Sequence, residues 1–196
     1  MSAGPLLVLA SASPRRAELL RRIGLDPTIV AADVDESVLP GESPHDYVVR
    51  VAADKAHAVA QAHPTQVILA ADTSVVLDGE SLGKPADVDD ALVMLARLSG
   101  RSHRVLTAVV VVAPDGIEHS AVAAATVTMA TTSDAERAWY VDTGEPMDKA
   151  GAYAVQGVGA AFVERVEGDP TTVIGLPLRT TVELLTVAGV TWPPRP

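Results

Sequence analysis

Short apolar runs alternate with amphipathic segments along this chain, and this alternation limits the possible folds more than any other feature. Residues 6–10 and 67–71 are runs of Leu, Val, Ile and Ala of strand length. Segments 14–23 and 44–63 carry apolar residues at helical spacing, and each follows a serine with proline at its first position, which is typical of a helix start. Strands and helices in alternation predict an α/β fold.

The middle of the chain has a different pattern. Segments 103–112 and 117–129 are rich in Val and Thr and are joined by Pro-Asp-Gly at 114–116, which indicates an antiparallel pair of strands. A capping box at 133–136 predicts a further helix. The parallel and antiparallel parts together predict a mixed, twisted sheet flanked by helices.

Composition limits the domain count and the classes of function. The 196 residues, 48% of them hydrophobic, suit one domain over 1–196, with a loose tail at about 191–196. The net charge of −10 argues against a nucleic-acid polymer as partner, and the absence of cysteine excludes disulfides and thiolate metal sites. There is neither a membrane-length apolar run nor a signal-peptide pattern, so we expect a cytoplasmic protein that does not enter the membrane.

Arg16 breaks the pattern of the first helix. It shares a helix face with Leu20 and Ile23, where an unpaired charge is costly. It also lies in the first turn, next to free backbone N–H groups that favour anions. The segment from Ser11 to Arg16 therefore indicates an anion site, while a solvated, snorkelling arginine is the alternative.

Lys55 and Asp72 are two further charged residues next to apolar segments. Lys55 lies within an apolar stripe that includes Val51 and Val59, so it must reach solvent or pair with a carboxylate or a phosphate. Asp72 follows a buried strand, as Ser11 follows another. If the two strands are parallel, both residues face one crevice at the carboxyl ends of the strands, where α/β proteins bind ligands.

Carboxylates and further cations complete the set of candidates. Asp33, Asp35 and Glu36 are grouped after the second predicted strand, residues 28–32. Near phosphate-binding cations such a group suggests Mg²⁺; taken alone, an acidic surface loop is the alternative. Lys84, in the rigid loop Gly-Lys-Pro, and Lys149, in Asp-Lys-Ala-Gly, are additional candidate cations.

The sequence resembles the Maf family of nucleoside triphosphate pyrophosphatases over most of its length. The matching motifs are Leu9–Leu20 (LASASPRRAELL), 33–36 (DVDE), 47–56 (YVVRVAADKA), 70–73 (AADT), 82–85 (LGKP), 148–153 (DKAGAY), 156–157 (QG) and 175–178 (GLPL). One departure is Thr172, where Asn is common in the family.

The resemblance implies a fold, a reaction and roles for particular residues. The fold would be similar to that of the inosine triphosphate pyrophosphatases, with two lobes around a central cleft. Substrate-binding and catalytic roles are implied for Ser11, Arg15, Arg16, Glu36, Lys55, Asp72, Lys84, Thr73 and Gln156, the last at a base-contacting position. Glu36 and Asp72 would bind a divalent cation, Mg²⁺ first and Mn²⁺ or Co²⁺ as alternatives, and the protein would be a homodimer.

The implied reaction is hydrolysis between the α- and β-phosphates in nucleotide-pool housekeeping. Asp72 followed by Thr73 is similar to the subfamily that prefers dTTP and UTP, with CTP or modified pyrimidine nucleotides as further substrates. The alternatives are a pyrophosphatase for 7-methyl-GTP, a phosphatase that releases orthophosphate, and a nucleotide-sensing regulator of cell division or septum formation with little turnover. A structural protein without a ligand would have to neutralise Arg16 and Lys55 by internal ion pairs.

Overall fold

The computed structural model describes residues 6–193. Its strands are β1 (Leu7–Leu9), β2 (Thr28–Ile29), β3 (Val67–Leu77), β4 (Glu80–Leu82), β5 (Ser102–Val112), β6 (Glu118–Met129) and β7 (Val163–Glu167). Its α-helices are α1 (Pro14–Arg22), α2 (Pro44–Ala60), α3 (Val88–Leu98), α4 (Asp134–Asp142), α5 (Pro170–Ile174) and α6 (Leu178–Val187). Short 3-10 turns cover Glu145–Asp148, Ala150–Ala152 and Val158–Phe162.

The strands form one mixed sheet, which confirms the predicted fold class. Its order is β2-β1-β3-β5-β6-β7, with β4 also paired to β3. β1 runs parallel to both β2 and β3, whereas β4 is antiparallel to β3 and β7 to β6. β5 and β6 form the predicted hairpin: Ala113 N donates to Ile117 O at the turn, and Met129 N donates to Arg101 O at the other end.

The chain divides into two compact units. The first comprises Met1–Asp72, Thr107–Ala123 and Gly175–Pro196, and the second comprises Thr73–Leu106 and Ala124–Ile174. The strands β3, β5 and β6 contribute residues to both units. Buried residues of the first unit include Val8, Leu9, Leu20, Val48, Ile68, Leu69, Val110 and Leu185. The core of the second is built on Val75, Leu77, Leu95, Leu98, Val127, Tyr140, Tyr153 and Phe162.

Three elements differ from the sequence-based expectation. β3 is a single strand of 11 residues that continues through Asp72, because its second half pairs with β4. β2 is limited to two exposed residues at the edge of the sheet, although the apolar run continues to residue 32. The short helix α5 was not predicted, because Pro-Thr-Thr is a weak helix signal.

The C-terminal end of the described chain is held by a hydrogen bond. Trp192, in the segment predicted to be loose, donates its indole N–H to Ile23 O at 3.0 Å, and residues 194–196 of that segment lie outside the described residues. Within residues 6–193, every helix is too short or too polar to cross a bilayer.

Candidate functional site

The connection from β1 to α1 holds Arg16 in place. Arg16 Nε donates to Gly175 O at 2.8 Å, and its Nη1 donates to Ser11 Oγ at 3.1 Å. Ser11 Oγ also accepts from Ser13 N at 3.2 Å, so this serine side chain organises the first turn although Ser13 itself provides no side-chain cap. Burial lowers the pKa of Arg16, and the Asp72 charge opposes that shift. Arg16 is therefore fixed in the first unit by specific bonds.

Lys55 lies on α2 and is joined to two carboxylates. Only 7% of the residue is exposed, in agreement with its position in an apolar stripe. Its Nζ lies 2.8 Å from Asp72 Oδ1 and 2.8 Å from Glu36 Oε1. The buried charge that the sequence places here is thus neutralised from both sides.

Asp72 reaches this position because β1 and β3 are parallel. Leu9 pairs with Leu69, so the residues that follow them along each strand lie at the same edge of this part of the sheet. Asp72 is 6% exposed, and burial raises the pKa of its carboxyl group, while Lys55 and then Arg16 oppose the rise. Asp72 and the Ser11–Arg16 segment thus belong to one unit and follow parallel strands, and the Asp72 charge acts on Arg16.

Glu36 is held by contacts that the motif does not reveal. Tyr47 donates its O–H to Glu36 O at 3.0 Å, and Arg50 Nη2 donates to Ser37 O at 2.9 Å. Tyr47 and Arg50 are three residues apart on α2, and Arg50 lies over the Tyr47 ring. Their spacing places them on one helix face, but their partners in the loop could not be found from spacing.

Two of the three acidic residues of that loop make different contacts. Glu36 pairs with Lys55 and remains partly exposed, with 44% of its side chain accessible. Asp35 accepts from Ser37 N at 2.9 Å and so stabilises the local turn. Ion pairing and turn formation are thus divided between two neighbouring carboxylates, Glu36 and Asp35.

The donor set suits a hard divalent cation that also has phosphate ligands. Glu36 and Asp72 share one ammonium partner, so their bonded oxygens are no further apart than the two contact distances combined. Among residues 6–193, no group of three or more His, Asp or Glu side chains could hold a metal. Two carboxylates fit Mg²⁺ only where substrate oxygens complete the shell, which is its usual mode of binding.

The remaining predicted residues occupy varied positions. Arg15 is half-buried in the first turn of α1, and Thr73 follows Asp72 on β3. In the second unit, Lys84 is exposed, and its neighbour Gly83 accepts a hydrogen bond from Gly151 N at 2.9 Å. Gln156 is partly exposed, in a loop between two 3-10 turns.

Lys149 has a local role. Its Nζ donates to Glu145 O at 2.7 Å and to Asp148 Oδ1 at 2.5 Å, so it closes the 3-10 turn that precedes it. This engagement argues against Lys149 as a ligand-binding cation.

Comparison with known proteins assigns the chain to a family. The model of the family described as Maf-like protein matches residues 6–188. A protein of Anaeromyxobacter dehalogenans strain 2CP-1, named dTTP/UTP pyrophosphatase, is 58% identical over 96% of this chain and 97% of its own length. One of Myxococcus xanthus strain DK1622 with the same name is 50% identical over 96% of this chain and 95% of its own.

A solved structure extends the comparison of folds. The Ham1 protein of Staphylococcus aureus matches with a TM-score of 0.50 and 17% identity, over 90% of this chain and 97% of that one. This likeness concerns the fold alone. The family model covers nearly the whole chain and its close relatives align over nearly their whole lengths, so the chain belongs to the Maf-like protein family.

Proposed function

We propose that this protein hydrolyses nucleoside triphosphates between the α- and β-phosphates, with dTTP and UTP as its preferred substrates. The products are a nucleoside monophosphate and pyrophosphate. Support comes from the relatives that are 58% and 50% identical, both named dTTP/UTP pyrophosphatase. The AADT motif, with Thr73 after Asp72, is the sequence feature that favours pyrimidine triphosphates.

The observation that carries the proposal is the buried ion-pair group of the first unit. Lys55 lies between Glu36 and Asp72, and the Asp72 charge also acts on Arg16 at the start of α1. One carboxylate is enough to neutralise the Lys55 ammonium group, but two carboxylates contact it. Phosphoryl transfer needs this combination, because it depends on charge neutralisation and on a positioned nucleophile.

The phosphate-binding role falls to the segment that begins α1. Ser11 Oγ accepts from Arg16 and from Ser13 N, which leaves the serine O–H to donate to a phosphate oxygen. The N–H groups of the first helical turn add an anion-binding surface. Arg15 and Arg16 supply positive charge there, and Lys84 is a further candidate cation for the triphosphate.

Asp72 is assigned to the attacking water. Burial raises the pKa of its carboxyl group, so it is a better proton acceptor than an exposed aspartate. As the water oxygen forms its bond to phosphorus, its proton passes to Asp72 and the anhydride P–O bond breaks, releasing pyrophosphate. The Lys55 ammonium group lies between the carboxylates and neutralises developing negative charge.

Glu36 and Asp72 would hold a divalent cation, with Mg²⁺ as the first choice. When bound, such a cation neutralises phosphate charge and orients the triphosphate. On the basis of the family resemblance, we also expect a homodimer in the cytoplasm. Its expected role is nucleotide-pool housekeeping. Base recognition is assigned to Gln156.

Product analysis tests the proposal. The purified protein is incubated with Mg²⁺ and separately with dTTP, UTP, CTP, GTP and 7-methyl-GTP, and the phosphate products are separated. Monophosphate plus pyrophosphate, fastest from dTTP and UTP, is the expected result. Orthophosphate would replace the proposal with a phosphatase. Thermal stabilisation by a nucleotide without any product would replace it with a nucleotide sensor.

A further inference from the structure

The loop that carries Gln156 is organised by side chains outside every motif assigned to the site. Gln156 lies between the 3-10 turns Ala150–Ala152 and Val158–Phe162, where no strand pairing fixes the backbone. A loop of this kind is mobile unless other groups bind its N–H and C=O groups. Tyr140 and Glu145 supply those bonds, and both belong to the second unit, as Gln156 does.

The bonds lie on both sides of Gln156. Ala154 N, two residues before it, donates to Tyr140 Oη at 3.1 Å. Val158 N and Gly159 N, just after it, donate to Glu145 Oε1 at 3.1 Å and to Oε2 at 2.8 Å. Both carboxylate oxygens are therefore used on this short stretch of backbone, and hydrogen bonds to an ionised group are stronger than neutral ones.

Tyr140 and Glu145 are also bonded to each other. The Tyr140 O–H donates to the Glu145 carboxylate; burial, followed by this contact, raises the pKa of the phenol. Partial burial alone would raise the pKa of Glu145, but the bonds from Gly159, Tyr140 and Val158 lower it, so the group stays ionised. The two side chains form one unit, which we call the loop clamp.

The loop clamp explains the glycines beside Gln156. A Cβ atom at Gly157 would collide with Glu145 Oε1, and one at Gly159 would collide with Tyr140 Oη. Gly157 also has a φ of +86°, which favours glycine. The sequence Gln-Gly-Val-Gly is therefore not a phosphate-binding loop; its glycines allow the backbone to approach the clamp.

The clamp has a rigid support. Tyr140 is fully buried on α4, and its ring makes an edge contact with Phe162 at a centroid distance of 5.2 Å. Glu145 begins a 3-10 turn, where its N–H donates to Thr143 Oγ1 and its C=O accepts from Lys149 Nζ. The position of the Gln156 loop is thus set by the core of the second unit.

We propose that Tyr140 and Glu145 are positioning residues that hold Gln156 for contact with the nucleotide base and thereby set base preference. This inference rests on the proposed function, because it takes Gln156 as the base-contacting residue. Tyr140 and Glu145 act on this contact only through the backbone of the loop, so their loss should weaken base discrimination and leave the hydrolytic step itself unchanged.

Two variants test the loop clamp. Tyr140→Phe keeps the ring but removes the acceptor for Ala154 N and the donor to Glu145. Glu145→Gln keeps the size but offers one oxygen to two backbone donors. For each we expect the ratio of kcat/KM for UTP to that for GTP to fall about three- to tenfold, as expected for the loss of one or two hydrogen bonds. The change should lie in the KM for UTP, with kcat within about twofold of the parent value.

The matched control is Glu136→Gln. Glu136 forms the capping box of the same helix α4 but bonds to Ser133, so its loss weakens the helix without touching the Gln156 loop. We expect a lower Tm with an unchanged UTP/GTP ratio. If Tyr140 and Glu145 had only a structural role, their variants would change the UTP/GTP ratio no more than Glu136→Gln does.

A double-mutant cycle completes the test. Gln156→Ala alone should lower the ratio, and Glu145→Gln added to it should lower the ratio no further, because both act through one contact. Additive losses, or a wild-type ratio in both clamp variants, would overturn the loop clamp while leaving the proposed function intact. If the unaltered protein releases no pyrophosphate from dTTP or UTP, the proposed function fails and this inference fails with it.

Discussion

The Lys55 ammonium group on α2 lies 2.8 Å from Asp72 Oδ1 on β3, and each side chain is only 9% exposed. Water cannot replace either partner at this depth, so the pair must remain together or be neutralised. Glu36, the second carboxylate on Lys55, is 44% exposed and can exchange its contact for solvent or a ligand. The Lys55–Asp72 pair therefore contributes to stability as well as to the proposed reaction, whereas Glu36 can change its partner. Substitutions in this group can thus separate effects on stability from effects on activity.

Lys55→Met should destabilise the protein strongly. The change leaves the Asp72 carboxylate buried without its ion-pair partner, which costs about 3 kcal/mol in buried pairs of this kind. Urea unfolding at pH 7 measures the loss. The double variant Lys55→Met, Asp72→Asn should regain part of it, because the uncompensated charge is gone. Equal stabilities of the single variant and the parent would contradict the importance of burial here.

Asp72→Asn should affect turnover more than stability. Asparagine can still accept a hydrogen bond from Lys55, and Glu36 still neutralises the lysine, but the amide cannot take a proton from water. We expect kcat for dTTP to fall by at least about 100-fold, which is the usual size of a general-base contribution. The control is Asp26→Asn, since Asp26 forms an exposed ion pair with Arg21 in the same unit. Near-parental turnover by Asp72→Asn would remove it from the mechanism.

Arg16→Lys should weaken triphosphate binding. The guanidinium uses Nε on Gly175 O and Nη1 on Ser11 Oγ at once, and an ammonium group cannot reproduce this planar arrangement. Loss of a charged hydrogen bond corresponds to roughly tenfold or more in KM or kcat/KM. Steady-state kinetics with UTP measures it. Arg22→Lys, in an exposed pair with Glu18 on the same helix, should change neither constant.

The sequence predicts where charge must be compensated but not which group compensates it. Arg16 and Lys55 stand out because they interrupt apolar helix faces, and this pattern can be recognised from the neighbouring residues alone. Their partners depend on long-range contacts: Gly175 is 159 residues from Arg16. Asp72 was found because two features agreed, a strand end and a parallel neighbour, although the strand itself continues beyond it.

The shape of the loop around Gln156 in the second unit could not be explained from the sequence. Gly157 and Gly159 mark an irregular loop, but nothing local shows that Glu145 and Tyr140 are the reason for them. Both side chains lie on or after an unremarkable amphipathic helix, α4. A pair of spaced glycines predicts a close approach of the backbone to something, and only the structure identifies that group.

His103 should make the protein less stable in mild acid. It is 3% exposed, its Nε2 lies 2.7 Å from Tyr153 Oη, and burial lowers its pKa from the ordinary 6.5 to about 4. Between these two values the unfolded chain binds a proton that the folded chain does not. The free energy of unfolding therefore falls as the pH falls, by at most about 1.4 kcal/mol per pH unit and on the order of 3 kcal/mol in total.

Urea unfolding at steps from pH 7.5 to pH 4.5 measures this contribution in His103→Gln against the parent. The variant loses stability at pH 7.5, because the His103–Tyr153 contact is disturbed, but its curve should be flatter below pH 6.5, since glutamine does not titrate. Parallel curves for His103→Gln and the parent would show that His103 takes up its proton in the folded protein as readily as in the unfolded chain, and the acid-sensitive step would then lie elsewhere.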